Sequence, residues 1–132
     1  MRKKKISIIG LGYIGLPFLI ILAKKRLAVF GIDTNKKKLS LIDKGKYRTE
    51  EKDLNREISI LQKRKVTFSS KIIDSDVYIL CLPTPLKKNR TCDTSILDNV
   101  LKTIIPKLKN NDTVIIESTV PIGFTEKVYQ KI

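Results

Sequence analysis

Three glycines, Gly10, Gly12 and Gly15, stand in the order GLGYIG directly after the apolar run ISII, and the acidic Asp33 arrives 21 positions after Gly12. Each glycine has a separate use when a strand turns into a helix around an anion. The first permits the tight bend, the second lets the backbone approach a pyrophosphate, and the third lets the helix pack closely on the strand. A pyrophosphate held there meets the unpaired N–H groups and the positive dipole end of the helix. A carboxylate about 20 residues further on can accept hydrogen bonds from a ribose. Asp33 would repel a 2′-phosphate, so the pattern favours NAD over NADP, although Lys36, Lys37 and Lys38 stand close enough in sequence to receive a phosphate. The plainer role for Asp33 is that of a turn or helix-cap residue.

Two further stretches, LPTPL (82–86) and ESTVPIGFT (117–125), each follow an apolar run. In an open parallel sheet, ligands bind beyond the carboxyl ends of the strands. Thr84 and Thr119 can offer hydroxyls there to a ribose, an amide or a water, while Thr and Pro are also ordinary turn formers. Glu117 is read as a partner for one of the many lysines rather than as a catalytic acid.

The elements that must position these residues follow from hydrophobic patterning. ISII reads as a buried strand, and a helix is expected from about Tyr13 to Lys25, with Pro17 in its first turn and KKR at its C-terminal end. LAVFGID (27–33) predicts a second strand, and NKKKLSLIDKGK a short helix closed by Gly45. Leu54, Ile58 and Leu61 lie at helical spacing; KVTFS is a weak strand and DVYILCL (76–82) a strong one. Asp93 is expected to cap a helix running to about Leu108, DTVIIES to be the last strand, and a final helix to begin at Gly123. Strands alternating with helices imply an α/β fold, a doubly wound parallel sheet of the Rossmann type with five strands in the order 3-2-1-4-5, lacking one further edge strand. The 18 uncharged residues 6–23 approach the length of a membrane span, but three glycines, a proline and the continuing strand–helix alternation argue for a strand and a buried helix instead.

The chain has 132 residues, enough for one domain, and carries 27 Lys and Arg against 13 Asp and Glu, a formal +14. Such a balance attracts anions. Its basic clusters (2–5, 24–26, 36–38, 63–65 and 87–90) recur at element ends without aromatic interleaving, so they are read as solvated surface and nucleic acid is not expected as a partner. No histidine is present, and the two cysteines do not form a zinc pattern, so no metal is expected. Cys81 is read as a small buried hydrophobe and Cys92 as a free surface thiol; a reducing, cytoplasmic setting without membrane contact fits both.

ISIIGLGYIGLP, GID, LCLPTPL and ESTVPIGFTEKV together resemble, in order and spacing across the whole chain, the NAD-binding domain of the UDP-glucose/GDP-mannose dehydrogenase family. PTPLKKNRTCD is similar to the branch acting on UDP-N-acetylhexosamines, whereas VPIGFT leans towards the UDP-glucose branch, so the sugar stays open. The resemblance implies an enzyme that oxidises C6 of a UDP-sugar from alcohol to carboxylate while reducing two NAD⁺, as a cytoplasmic homodimer in polysaccharide biosynthesis. Carried onto this sequence, it implies that Gly10, Gly12, Tyr13, Ile14, Gly15, Asp33, Lys38, Pro83, Thr84 and Thr119 hold NAD, with Pro83 and Pro85 shaping a loop over it. Thr119 would also help to position a water near hydride transfer. Neither Cys81 nor Cys92 matches the family's nucleophilic cysteine, so residues 1–132 are expected to be a fragment, inactive alone and lacking the UDP-sugar domain. A non-catalytic dinucleotide-binding or oligomerising module and a different Rossmann dehydrogenase are the alternatives.

Overall fold

A computed structural model describes residues 3–132. The elements are β1 (Lys5–Ile9), α1 (Gly15–Lys24), β2 (Ala28–Ile32), α2 (Lys36–Asp43), α3 (Lys52–Ile60), β3 (Val66–Ser69), β4 (Val77–Leu80), α4 (Ser95–Ile104), β5 (Thr113–Ile116) and α5 (Phe124–Tyr129). All strand pairings are parallel, and the sheet order is β3-β2-β1-β4-β5, as expected from the sequence.

Side chains alternate across the strands, so neighbouring apolar residues serve opposite faces. Ile8, Val29 and Ile79 face α1, α2 and α3, packing with Leu16, Leu19, Ile42 and Ile58. Ile9, Ile32, Tyr78 and Leu80 face the other way, against Leu97, Leu101, Ile104 and Val128. Each fully buried Leu or Ile among these contributes about 1.5–3 kcal/mol of transfer free energy. This two-sided burial is why the central strands read as continuous apolar runs. Ser7 is the buried exception on β1. Its hydroxyl meets that of Ser75 at 2.7 Å, and the Ser75 N–H donates to the Tyr78 hydroxyl at 2.9 Å, so the polar atoms are satisfied.

Several expected boundaries shift for identifiable reasons. α1 begins at Gly15 rather than Tyr13, because residues 12–14 form the turn. α4 begins at Ser95 and ends at Ile104 rather than near Leu108. Pro106 lacks the N–H needed to continue it, and a single 3₁₀ turn, Ile105–Lys107, follows. Asp93 precedes the residue that caps α4, yet its carboxylate accepts the Ser95 N–H at 3.0 Å. The chain leaves α1 through Arg26, whose φ of +57° places a side-chain-bearing residue in the left-handed region. That conformation costs about 1–2 kcal/mol, which glycine would avoid. Among the described residues, no helix is long and apolar enough to cross a membrane.

Candidate functional site

The carboxyl ends of β1, β2, β4 and β5 open onto a cleft of about 760 Å³. Gly10 stands at its base with a φ of +94°, and its N–H donates to Ile32 O at 2.8 Å, tying β1 to β2 at the bend. A β-carbon on Gly10 would lie 2.3 Å from the carbonyl oxygen of Cys81. Gly12 is different: a β-carbon there would meet nothing within 4 Å, so its missing side chain leaves open space on the cleft. Gly15 is different again. It is buried outside the cleft lining, where a β-carbon would sit 1.8 Å from Gly10 O and 3.2 Å from Cys81 Cβ. Its absence of a side chain serves the approach of α1 to the turn.

The first turn of α1 is prepared for negative charge. Its N-cap, Ile14, supplies no side-chain acceptor and the turn contains no acidic residue. Among the described residues, the N–H groups of Gly12, Tyr13, Ile14 and Gly15 have no hydrogen-bond partner within the protein. Tyr13 and Ile14 are exposed beside them on the cleft, at 86% and 60%. Free donors at a helix N-terminus next to empty space at Gly12 fit the diphosphate of a dinucleotide.

Asp33 stands at the end of β2 and does more than wait for a ligand. Oδ2 accepts the Leu11 N–H at 3.0 Å and pairs with the Lys38 ammonium, while Oδ1 accepts the Asn35 N–H at 2.9 Å. Burial pushes its carboxyl upward, but the hydrogen bonds from Lys38, Asn35 and Leu11 and the charge of Lys38 outweigh it, holding the group below the ordinary carboxylate value. An ionised carboxylate has about four acceptor positions, so at least one remains for a ribose hydroxyl. The helix-cap role falls instead to Asn35, whose side chain accepts the Lys38 N–H at 2.9 Å. Lys38 reaches the cleft through its pairing with Asp33.

The opposite wall comes from residues 82–84 and 117–119. Thr84 Oγ1 donates to Thr119 O at 2.7 Å, so its proton is already committed and its lone pairs are what it can offer. Thr119 is exposed on the cleft, and Pro83 lines it as well. Sequence reasoning missed Ser118, whose Oγ accepts the Leu82 N–H at 2.9 Å and donates to Leu80 O at 3.3 Å, fastening the two loops at their roots. Cys92 is unpaired with any other cysteine, but it is half-buried rather than a surface thiol. Its Sγ lies 3.8 Å from Thr84 O and 3.9 Å from Thr119 O, reaching there through the antiparallel bridge between Leu86 and Cys92. Glu117 forms no ion pair among the described residues, contrary to the lysine partner expected for it.

Burial, with a smaller contribution from the Glu117 charge, pushes the Cys81 thiol up to about 11. Cys81 should therefore resist iodoacetamide at pH 7–8 and label faster only as the pH approaches 11. Because Glu117 is one cause, Glu117→Gln should shift the pH profile of labelling downward. A profile unmoved by that substitution, read by peptide mass spectrometry, would contradict the assignment.

Residues 4–132 match the model of the UDP-glucose/GDP-mannose dehydrogenase family, NAD binding domain. The chain is similar to UDP-N-acetyl-D-mannosamine dehydrogenase of Methanocaldococcus jannaschii (37% identity over 98% of this chain and 31% of that protein). It resembles the Yersinia pestis enzyme of the same name at 35% identity over the same shares. In fold it matches the native structure of UDP-N-acetyl-mannosamine dehydrogenase from Staphylococcus aureus with a TM-score of 0.85 and 34% identity, over 96% of this chain and 32% of that one. The chain thus spans about a third of the length of these relatives. The match over nearly its whole length, on a sheet and glycine turn of the required form, makes this chain an NAD-binding Rossmann domain that belongs to the UDP-glucose/GDP-mannose dehydrogenase family.

Proposed function

We propose that this domain is the cofactor-holding part of a dehydrogenase that oxidises C6 of a UDP-N-acetylhexosamine to the uronic acid with two NAD⁺. The observation that carries the cofactor part is the open space at Gly12 beside unpaired N–H groups, with the Asp33 carboxylate facing the same cleft. The choice of sugar rests on the two UDP-N-acetyl-D-mannosamine dehydrogenases, at 37% and 35% identity.

In this reading, Gly10 sets the bend and Gly12, Tyr13 and Ile14 receive the diphosphate on their backbone donors. Asp33 accepts from the adenosine ribose, with Lys38 holding its carboxylate in place. Bound NAD⁺ supplies a hydride acceptor. Pro83 and Thr84 form the wall against its far half, and the exposed Thr119 hydroxyl orients a water. Gly15 adds its unpaired N–H to the backbone donors of the turn, and its missing side chain lets α1 approach that turn. The nucleophile that carries the substrate belongs to a segment outside these residues. The burial of Cys81 keeps it a neutral thiol and leaves it unsuited to that task.

Gly12→Val tests the cofactor site without disturbing the fold, since its β-carbon projects into open space. Calorimetry should show NAD⁺ binding to the parent protein and a loss of about tenfold or more in the variant, equivalent to ~1.4 kcal/mol. Unaltered affinity, with an unaltered circular dichroism spectrum, would remove the diphosphate from this turn.

A further inference from the structure

The other end of the sheet carries a second cleft, of about 720 Å³, at the starts of β1, β2 and β3. Lys3, Lys24, Arg26, Lys63, Arg64 and Lys65 line it. They belong to three of the five basic clusters that look dispersed along the chain, and the fold gathers them around one concavity. Ala23, Leu27 and Ile60 supply an apolar lining, and Leu27 remains 38% exposed.

Part of this charge has a local reason. α1 and α3 both end here, and cations complement the negative end of a helix dipole, which amounts to roughly half an elementary charge. Glu57 answers two of the cations, with Oε1 2.7 Å from Lys24 Nζ and Oε2 3.7 Å from Arg64 Nη2. Lys3, Arg26, Lys63 and Lys65 form no ion pair among the described residues. Helix ends and one glutamate leave a surplus of positive charge around a concave surface. Arg26 sits just past the end of α1 with a left-handed φ of +57°, a conformation that glycine would hold without strain.

We propose that this cleft is a second anion site, separate from the dinucleotide cleft, which binds a soluble ligand carrying linked phosphates. Convergence on a cleft favours a compact polyphosphate over nucleic acid, which calls for a basic stripe along a face. It also favours it over an anionic membrane, because the apolar residues line the concavity rather than project from it.

Calorimetry with sodium tripolyphosphate tests the proposal. The expected result is one saturable site that weakens with salt, and a loss of about tenfold in affinity for Arg26→Gly and again for Lys63→Ala/Lys65→Ala. Arg26→Gly relieves the strained backbone, so its unfolding midpoint should hold or rise while the anion is lost, and its NAD⁺ affinity should be unchanged. Lys102→Ala/Lys109→Ala removes equal charge from exposed positions elsewhere and should keep tripolyphosphate within about twofold. An equal loss in that control reduces the effect to net charge and overturns the proposal. So does a loss caused by Gly12→Val instead, which would place the anion in the dinucleotide cleft. Binding of duplex DNA or of phosphatidylserine vesicles that tripolyphosphate fails to displace would overturn it as well. In the Gly12→Val background, a nucleoside triphosphate that binds more tightly than tripolyphosphate assigns the apolar lining to a base. Equal affinity assigns the cleft to the phosphates alone.

Discussion

Gly15→Ala is expected to lower the unfolding free energy by about 3 kcal/mol, the upper end of what overpacking costs. The added β-carbon would fall 1.8 Å from Gly10 O, against backbone rather than a side chain that could swing away. Relief would require α1 to move off the turn, and α1 supplies Leu16, Leu19, Ile20 and Ala23 to one face of the core. Against the 5–15 kcal/mol that holds a typical domain together, such a loss is a large fraction. Urea denaturation followed by circular dichroism measures it. A loss below about 0.5 kcal/mol, the range of neutral surface changes, would show that the turn opens freely and that the close packing is not required. Two glycines of one motif are thus predicted to fail in opposite ways: position 15 through the fold and position 12 through the ligand.

Asp33→Ala should weaken NAD⁺ binding by about tenfold to a hundredfold. A hydrogen bond to a charged group is worth about 1.5–3 kcal/mol, and the ribose loses its carboxylate acceptor. Stability should fall too, because the Leu11 and Asn35 N–H groups lose their acceptor and Lys38 loses its counter-charge. Asp33→Asn separates the two effects: its amide oxygen can still accept one backbone N–H, but the negative charge is gone. The pH dependence follows from the lowered carboxyl. Its stabilising contribution is fully present above the unfolded value of about 3.9 and is lost as the pH falls through the lower folded value. The stability gap between the parent and Asp33→Asn should therefore be flat above about pH 5 and close below about pH 4. Full NAD⁺ affinity in Asp33→Ala would sink the ribose assignment.

The strand order was legible because burial on both faces writes itself as apolar runs, ISII and VYIL above all, and because right-handed crossovers leave few arrangements. The glycine turn was legible because its constraints are local, a bend at Gly10 and a packing contact at Gly15. The cross-loop contacts were not. Ser118 to Leu82 and Thr84 to Thr119 join residues 36 and 35 positions apart, and nothing in periodicity distinguishes a serine that will bridge two strand ends from one in a turn. Asp33 shows the intermediate case. Its position was readable, but its pairing with Lys38 depends on the start of α2 turning one lysine of three back towards β2. The end of α4 is readable from Pro106, which lacks the N–H that a further helical turn would need. The basic clusters are mostly exposed, as expected, but linear sequence hides which of them share a concavity.

The wall built from residues 82–84 and 117–119 has a thermodynamic consequence. One carbonyl, that of Thr119, accepts from Thr84 and is also approached by Cys92, while Ser118 fastens the roots of the same two segments. Segments that share acceptors cannot loosen independently: freeing one releases the contacts that order the other. Substitutions at Thr84, Cys92 and Ser118 therefore act on one connected set of contacts, and their energies are expected not to add. A ligand lying against that wall meets two segments that these contacts hold in one arrangement.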